Sequence, residues 1–255
     1  MEITVPGDAL IGYLLASVRI VSWLVVVPPF SSRAVPSMVK VVLSLGLAFA
    51  VAPALHPTEL PTTAFGLLTE TVTQVAIGAS MGFVTFLLLS ALAAAGSLID
   101  VFGGFSLAQG FDPLGLNSNT VFGTFHQMIA TMILFVTNGH MLVLGGLLST
   151  FRFLPVGARP DTSHGTEVLI DAFRVFFVTA VQIALPMIAV LFLADLGLAL
   201  LTKVAPQLNA INVMFPAKIG LTLLLVGLSF PVLPQAMDKM MELSTQAMSV
   251  MAGAG

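Results

Sequence analysis

The stretch from Val168 to Leu201 reads VLIDAFRVFFVTAVQIALPMIAVLFLADLGLALL, and its apolar content decides the class of fold. A helix needs about 20 apolar residues to cross the hydrocarbon core of a bilayer, and this stretch is longer than that. Tilting the helix absorbs only part of such an excess. The stretch therefore predicts either a membrane helix that protrudes from the bilayer or a helical hairpin.

Five more apolar blocks lie before and after this stretch, which makes about six long hydrophobic helical blocks in all. They are Ala9 to Phe30, Val39 to Leu55, Phe65 to Ala95, Val121 to Leu154 and Ile211 to Leu233. The fourth has a natural break at Asn138-Gly139-His140, so it could fold as a hairpin. The pattern predicts an all-α membrane protein whose long helices form helical hairpins.

Composition excludes several classes of function. Only 8% of the 255 residues are charged, whereas a soluble domain carries roughly 25%. The net charge is −3 and there is no basic cluster, which argues against binding of nucleic acid. The chain has no cysteine, and we find no acid pair, Ser–His pair or metal-ligand spacing. The sequence therefore predicts a membrane protein that is not an enzyme and has no cofactor and no metal site.

A glycine-rich segment, GGFSLAQGFDPLGLNSNT from Gly103 to Thr120, interrupts the apolar pattern. Glycine and proline end helices, and the backbone groups of such a segment need polar partners that lipid cannot supply. It could be an ordinary aqueous loop, or it could re-enter or constrict a pore. The second interpretation is favoured by its five large apolar residues, which are Phe105, Leu107, Phe111, Leu114 and Leu116.

Charges at membrane depth are expensive and usually have a structural or functional reason. The candidates are Arg19, Glu70, Asp100, Arg174, Asp195 and Lys218. We expect buried ion pairs or contacts with partners, ahead of a wet path or a proton relay. Small residues at helical spacing, Gly78 with Gly82 and Gly96 with Asp100 and Gly104, allow helices to approach closely. They could pack within the chain or form a seam for another subunit.

The C-terminal segment predicts an amphipathic helix with methionines on one face. Methionine surfaces are adaptable and often meet partner helices. The stripe could pack on the chain's own bundle or dock another protein, and the candidates for a partner helix are Met237, Met241 and Met248.

Three motifs, in a fixed order, resemble the FliR/SctT family of type III secretion export-gate subunits over most of the chain. They follow Arg19, Pro28-Pro29-Phe30 and Pro36. The motifs are Gly110-Phe111-Asp112-Pro113, then Asn138-Gly139-His140 with Ser149 to Gly157, and then Ala205 to Asn209 with Phe215 to Gly220.

The resemblance implies an architecture and a function. It implies a FliP-like half over residues 1–165 and a FliQ-like half over residues 166–255. Such a subunit joins FliP-like and FliQ-like subunits in the bacterial inner membrane and helps conduct unfolded rod, hook and filament proteins. The alternative from the residues alone is a small-solute transporter or channel that acts by itself.

The resemblance also assigns roles to residues of this sequence. The segment from about 103 to 120 corresponds to a pore plug, with the residues Phe105, Leu107, Gly110, Phe111, Asp112, Pro113, Leu114, Leu116 and Asn117. A turn at the cytoplasmic base, near an FlhB-like protein, would contain Lys203, Pro206, Gln207 and Asn209. The sequence departs from the family pattern in two places. The plug carries extra glycines, which are Gly103, Gly104, Gly110 and Gly115. The helix before the plug often carries a glutamate and a glutamine in the family. Asp100, Val101 and Phe102 occupy that region here.

Overall fold

The structure is a computed structural model that describes residues 7–54, 60–61, 63–105, 120–160, 165–204 and 210–254. Nine α-helices lie within these ranges. Their bounds are α1 Gly7–Val26, α2 Ser37–Val51, α3 Ala64–Leu89, α4 Ala91–Gly103, α5 Val121–Val136, α6 Gly139–Phe153, α7 Gly165–Val204, α8 Ala210–Ser229 and α9 Leu233–Met251. Short 3₁₀ turns follow α2 at Ala52–Ala54 and α8 at Phe230–Val232. The predicted all-α class is confirmed.

Within the described ranges, four apolar segments are long enough to cross a membrane, and the broken pair of α5 and α6 would make a fifth. The four are α1, α3, α7 and the run from Pro216 to Met251. The chain is therefore a multi-pass membrane protein by the length and composition of its helices. The helices α2 and α4 are apolar but shorter.

Two of the six predicted blocks divide in the structure. The third block, Phe65 to Ala95, is interrupted at Ser90 and gives α3 and α4. The fourth divides between Thr137 and Gly139, where the break was predicted. Asn138 has φ 57° there, a left-handed conformation that asparagine tolerates better than most residues.

The helices form two compact units, each assembled from separate stretches of sequence. Unit 1 contains Met1–Leu89, Asn138–Phe173 and Met240–Gly255, and unit 2 contains Ser90–Thr137 and Arg174–Lys239. These units are defined by packing, so they do not test the relationship of residues 1–165 and 166–255 to other chains. That division stays a prediction.

Each unit has its own core. In unit 1, α1 packs on α2 and α3 and buries Trp23 and Leu24 completely. In unit 2, α4 packs mainly on α5 and also contacts α8, and Leu92 and Ile99 are fully buried. A buried charged residue lies in each core, Arg19 in unit 1 and Asp100 in unit 2.

Candidate functional site

The structure describes both ends of the glycine-rich segment. Of the predicted plug residues, Phe105 lies within the described residues. The others, Leu107, Gly110, Phe111, Asp112, Pro113, Leu114, Leu116 and Asn117, lie outside them. The Phe105 ring is half-buried and meets the Phe122 ring edge-on, with 4.9 Å between the ring centroids. A residue just after the end of α4 and a residue near the start of α5 are therefore in contact.

Asp100 bonds to the backbone at both ends of this segment. Its carbonyl oxygen accepts the Gly104 N–H, which ends α4, and also the Phe105 N–H at 3.1 Å. Its carboxylate Oδ2 accepts the N–H groups of Phe122 at 2.8 Å and Gly123 at 3.1 Å. We call Asp100, Gly104, Phe105, Phe122 and Gly123 the segment base.

The sequence explains how each end of the base forms. Gly104 has φ 85°, and glycine ends helices in this left-handed conformation without a steric penalty. At the other end, Thr120 precedes α5 but its side chain makes no capping bond to the helix. Its hydroxyl instead lies 2.9 Å from the Ser97 hydroxyl. Asp100 supplies the acceptor that a local cap would have supplied, and its negative charge suits a helix N-terminus.

Close approach of α4 and α5 makes these bonds possible. A Cβ atom at Gly96 would overlap the carbonyl oxygen of Phe122, and one at Gly123 would meet the Ser97 and Thr120 hydroxyls. The stripe formed by Gly96, Asp100 and Gly104 therefore serves packing inside unit 2. This was one of the two uses that the sequence left open.

An ion pair lies beside the segment base. Lys218 of α8 donates to Asp195 of α7 at 2.8 Å, and both side chains are partly exposed. The aliphatic stem of Lys218 runs next to Gly104, while Thr222 of α8 packs on Gly103. The motif that contains Lys218 thus holds α8 against the end of α4. Arg174, a further candidate for a deep charge, is exposed.

Arg19 is the centre of a polar network in unit 1, and it is fully buried. Its Nε donates to Gln74 Oε1 at 2.6 Å and its Nη1 donates to the Leu154 carbonyl at 2.9 Å. Glu70 Oε1 accepts from the Gln74 amide at 2.7 Å and from the Gly157 N–H at 3.2 Å. The Gln74 side-chain amide thus links the opposite charges of Arg19 and Glu70.

This network fastens three parts of unit 1 to one another. Arg19 comes from α1, Glu70 and Gln74 from α3, and the backbone groups of Leu154 and Gly157 from the stretch after α6. The guanidinium also lies 4.3 Å from the centre of the Phe151 ring, a favourable cation–π contact. We call Arg19, Glu70, Gln74, Leu154 and Gly157 the arginine network.

The small-residue pair in α3 belongs to the same packing. A Cβ at Gly78 would overlap the Arg19 carbonyl oxygen, and one at Gly82 would lie 3.2 Å from the Val26 Cβ. Both glycines therefore let α3 approach α1 closely. They therefore serve helix packing within this chain, which was one of the two roles that the sequence left open.

The remaining predicted residues have varied surroundings. Lys203 is exposed near the end of α7, while Pro206, Gln207 and Asn209 lie outside the described residues. The three methionines expected to dock a partner helix, Met237, Met241 and Met248, are buried within the chain. A Cβ added at Gly146 of α6 would approach Met248, so this methionine packs against α6. The methionine stripe thus follows the other alternative, packing on the chain's own helices.

Sequence reasoning missed Gln74 and the backbone partners of the two buried charges. Gln74 is fully buried, and it lies one helical turn after Glu70. An amide at that spacing from a glutamate in an apolar block is the signal that could have found it. The bonds to the carbonyl of Leu154 and the amides of Phe122 and Gly123 have no such signal. Among the described residues, no group of three or more His, Asp or Glu could hold a metal ion.

These features define a class of protein: a multi-pass, all-α membrane protein whose cores are organised by buried charges. Comparison with known proteins narrows the class to a family. Residues 10–244 match the family described as bacterial export proteins, family 1. That match covers most of the chain, so the chain belongs to this family.

Individual relatives agree with the family match. The flagellar biosynthetic protein FliR of Escherichia coli (strain K12) is 30% identical over 221 residues, 87% of this chain and 85% of the relative. FliR of Aquifex aeolicus (strain VF5) is 30% identical over 239 residues, 93% of this chain and 92% of the relative. The secretion system apparatus protein SsaT of Salmonella typhimurium (strain LT2) is 30% identical over 159 residues, 62% and 61% of the two chains. The resemblance to the FliR/SctT family is confirmed.

Proposed function

We propose that the chain is a subunit of the flagellar type III protein export gate in the bacterial inner membrane. The observation that carries this proposal is the match to the export family over residues 10–244, joined to similarity with flagellar FliR proteins over most of their length. Its substrates are unfolded rod, hook and filament proteins, and its role is to help form and close their channel.

The length of α7 supports a role inside a larger assembly. This helix has 40 residues, which at 1.5 Å per residue span about 60 Å, roughly twice the hydrocarbon core of a bilayer. Large apolar side chains are exposed along it, from Ile170 (62% exposed) to Leu193 (65%) and Val204 (85%). Lipid can cover only about half of this length.

Protein must therefore cover the rest of the apolar surface of α7. An exposed large aliphatic side chain forgoes about 1.5–3 kcal/mol of burial, so many of them in water would be strongly unfavourable. The partners that fit are apolar helices, and the FliP-like and FliQ-like subunits are our candidates. This requirement weighs against a small-solute transporter that acts alone.

We assign the residues from about 103 to 120 to the channel plug. The support is the resemblance of Gly110-Phe111-Asp112-Pro113 to the family motif, together with the joined ends of the segment at its base. Apolar side chains such as Phe111 and Leu114 can close a pore by excluding water. Glycines allow such a segment to move aside for an unfolded chain.

We assign the turn after α7 to the cytoplasmic face of the membrane. Lys203 is exposed there, and cationic residues favour the cytoplasmic side of a membrane. We place Pro206, Gln207 and Asn209 at the closed cytoplasmic base, next to an FlhB-like protein.

Two measurements test this function. The tagged chain is first purified from its own host in mild detergent, and the proteins that accompany it are identified. Co-purification of two other small apolar export proteins supports the proposal, whereas a lone, folded chain would contradict it.

The assembled gate is then placed in planar bilayers to measure resting ion conductance. A deletion of residues 107–116 removes most of the plug but keeps the segment base, and we expect a leak. The matched control keeps the length and replaces Leu107, Phe111, Leu114 and Leu116 by serine. An assembled deletion gate that is as tight as the wild type would remove the plug from the proposal.

A further inference from the structure

We propose that α7 meets a helix of another subunit along one face, and that Gln182 is the residue that recognises this helix. The partner helix is apolar and carries one hydroxyl or amide side chain at the level of Gln182. This inference deepens the proposed function and rests on it, because it says how one subunit of the gate binds this chain.

Gln182 is an exposed amide in the middle of an apolar stretch. The residues from Val175 to Ala194 carry no charge and have the length of one membrane crossing, about 20 residues. Gln182 lies in their central part, and its side chain is exposed. The described part of the chain makes no hydrogen bond to this side-chain amide. Its N–H groups and its carbonyl oxygen therefore need partners that hydrocarbon cannot supply.

Pro186 adds a backbone acceptor at the same place. Proline has no N–H, so the helical bond from position 186 to the Gln182 carbonyl is missing. Pro186 is exposed and lies one turn after Gln182, on the same side of α7. In a membrane, carbonyls freed by proline are satisfied by neighbouring helices, polar side chains or ordered water. The side-chain amide and the backbone carbonyl of Gln182 thus form one polar site on the surface of α7.

The residues around this polar site are apolar and exposed. Together with Gln182 they follow the three- and four-residue spacing of one helix face, and they are Val178, Leu185, Ala189, Leu193 and Leu196. We call these five residues, with Gln182 and Pro186, the glutamine face. The opposite side of α7 is covered by the chain itself, since Ala184, Met187 and Leu191 are buried there.

Protein satisfies both parts of the glutamine face, whereas lipid or water satisfies one. Lipid would cover the leucines but leave the amide and the Gln182 carbonyl without partners. Water would bond the polar site but leave large aliphatic side chains exposed on every side of it. An apolar helix with one hydroxyl or amide side chain does both, as polar side chains do between membrane helices. Ala189, two turns after Gln182, is small enough to let that helix come close.

We assign the covering helix to a different subunit of the gate. Every residue of the glutamine face is exposed, so no helix within the described ranges covers it. The apolar surface also continues beyond this face to Leu200, which is 64% exposed, along a helix about twice as long as the hydrocarbon core is thick. A surface of this length fits a long helix, and the FliP-like and FliQ-like subunits are the candidates for it.

The test replaces Leu185 by the photo-reactive residue benzoylphenylalanine in the full chain, produced in its own host with the other export proteins. Illumination of the membranes should give a covalent adduct with a second export protein, identified by its mass. Gln182→Met keeps the unbranched shape but loses the amide, and we expect the adduct yield to fall at least about threefold. Gln127→Met removes an exposed amide from α5 and should leave the yield unchanged.

Further variants separate loss of the contact from loss of the fold. Because no described residue bonds the Gln182 amide, Gln182→Met should leave the thermal unfolding of the purified chain in detergent unchanged. Gln182→Asn keeps both kinds of hydrogen-bonding group and should retain more of the adduct than Gln182→Met does. Should Gln182→Met fail to insert into the membrane, Gln182→Leu takes its place with the same expected fall.

The outcomes distinguish this inference from the function on which it rests. If other export proteins co-purify with the wild-type chain but the yield of their adduct is the same with Gln182→Met, the inference is wrong and the proposed function stands. The same holds if position 185 forms adducts only with lipid, with a second copy of this chain or within the chain. If the wild-type chain purifies alone, both fall.

Discussion

The arginine network of unit 1 and the segment base of unit 2 both centre on a buried charge, yet they differ in what that charge joins. Arg19 connects three separate parts of its unit and is balanced through Gln74 by Glu70. Asp100 connects the two ends of one chain segment and is balanced by helix N–H groups. A charged residue within an apolar stretch is all that the sequence shows of either one, and on that basis the two would have been assigned the same role.

The difference shows that the partners of a buried charge indicate its role. A charge that joins several helices stabilises the fold, and removing it affects the whole unit. A charge that joins the end of one helix to the start of the next fixes the contact between those two helix ends. We therefore expect loss of Arg19 to destabilise the whole of unit 1, and loss of Asp100 to loosen mainly the contact between α4 and α5.

The largest effect on stability is expected for Arg19→Leu. It leaves the Gln74 oxygen and the Leu154 carbonyl buried without a donor, and loss of one member of a buried charge network costs about 3–5 kcal/mol. The measurement is the free energy of unfolding of the purified chain in detergent. Arg152→Leu removes an exposed arginine from α6 and is the control. Equal effects of the two changes would contradict the special role of Arg19.

The glycines test the close helix packing that both regions share. Gly78→Ala and Gly96→Ala each force a Cβ against a backbone carbonyl of the adjoining helix, so we expect each to cost about 1–3 kcal/mol. Gly46→Ala and Gly227→Ala meet nothing within 4 Å and should change stability by less than about 1 kcal/mol. Thermal unfolding of the four variants gives the comparison. A neutral Gly96→Ala would mean that α4 and α5 lie further apart than described.

Gln74→Leu tests whether the amide relays charge balance within the arginine network. The change leaves the Arg19 Nε without its acceptor and leaves Glu70 Oε1 with the Gly157 N–H as its remaining donor, and we expect a loss of about 1–3 kcal/mol. Gln127→Leu removes an exposed amide from α5 and serves as the control. Denaturant unfolding of both variants measures the difference. A neutral result for Gln74→Leu would show that Arg19 and Glu70 do not need the relay.

The smallest effect is expected for the Lys218–Asp195 pair. Its side chains are 16% and 38% exposed, and pairs open to solvent contribute about 0–1 kcal/mol. We expect Lys218→Met to lower stability by no more than this, because the aliphatic stem of methionine can still pack beside Gly104. Unfolding at low and high salt measures the charge contribution. A loss of stability as large as that expected for Arg19→Leu would show that this pair contributes as much to the fold as the arginine network does.

The sequence predicted the helices and several of their ends. The break at Asn138 follows from a residue type that tolerates a left-handed backbone, and the end of α4 from a glycine at Gly104. The interruption of the third block at Ser90 was not predicted, because the apolar pattern continues through it. A long apolar stretch indicates that a segment is buried in lipid or protein. It does not indicate where one helix ends and the next begins.

The sequence also identified Arg19 and Asp100 as charged residues within apolar stretches, which need bonding partners. It could not say which partners they have. Arg19 bonds a carbonyl 135 residues away, and Asp100 bonds amides 22 and 23 residues away. Backbone carbonyl and amide groups are the same in almost every residue, so side-chain identity carries no mark of these bonds.

What the sequence determined by itself is the class of protein, since apolar length, low charge and ordered motifs are properties of the chain as written. What only the tertiary structure decided is the use of each polar residue within that class. Gln74 became a relay and Asp100 became a cap for a helix that its own threonine does not cap. The physical reason is that a hydrogen bond depends on the distance between two groups in space, and helix packing sets that distance.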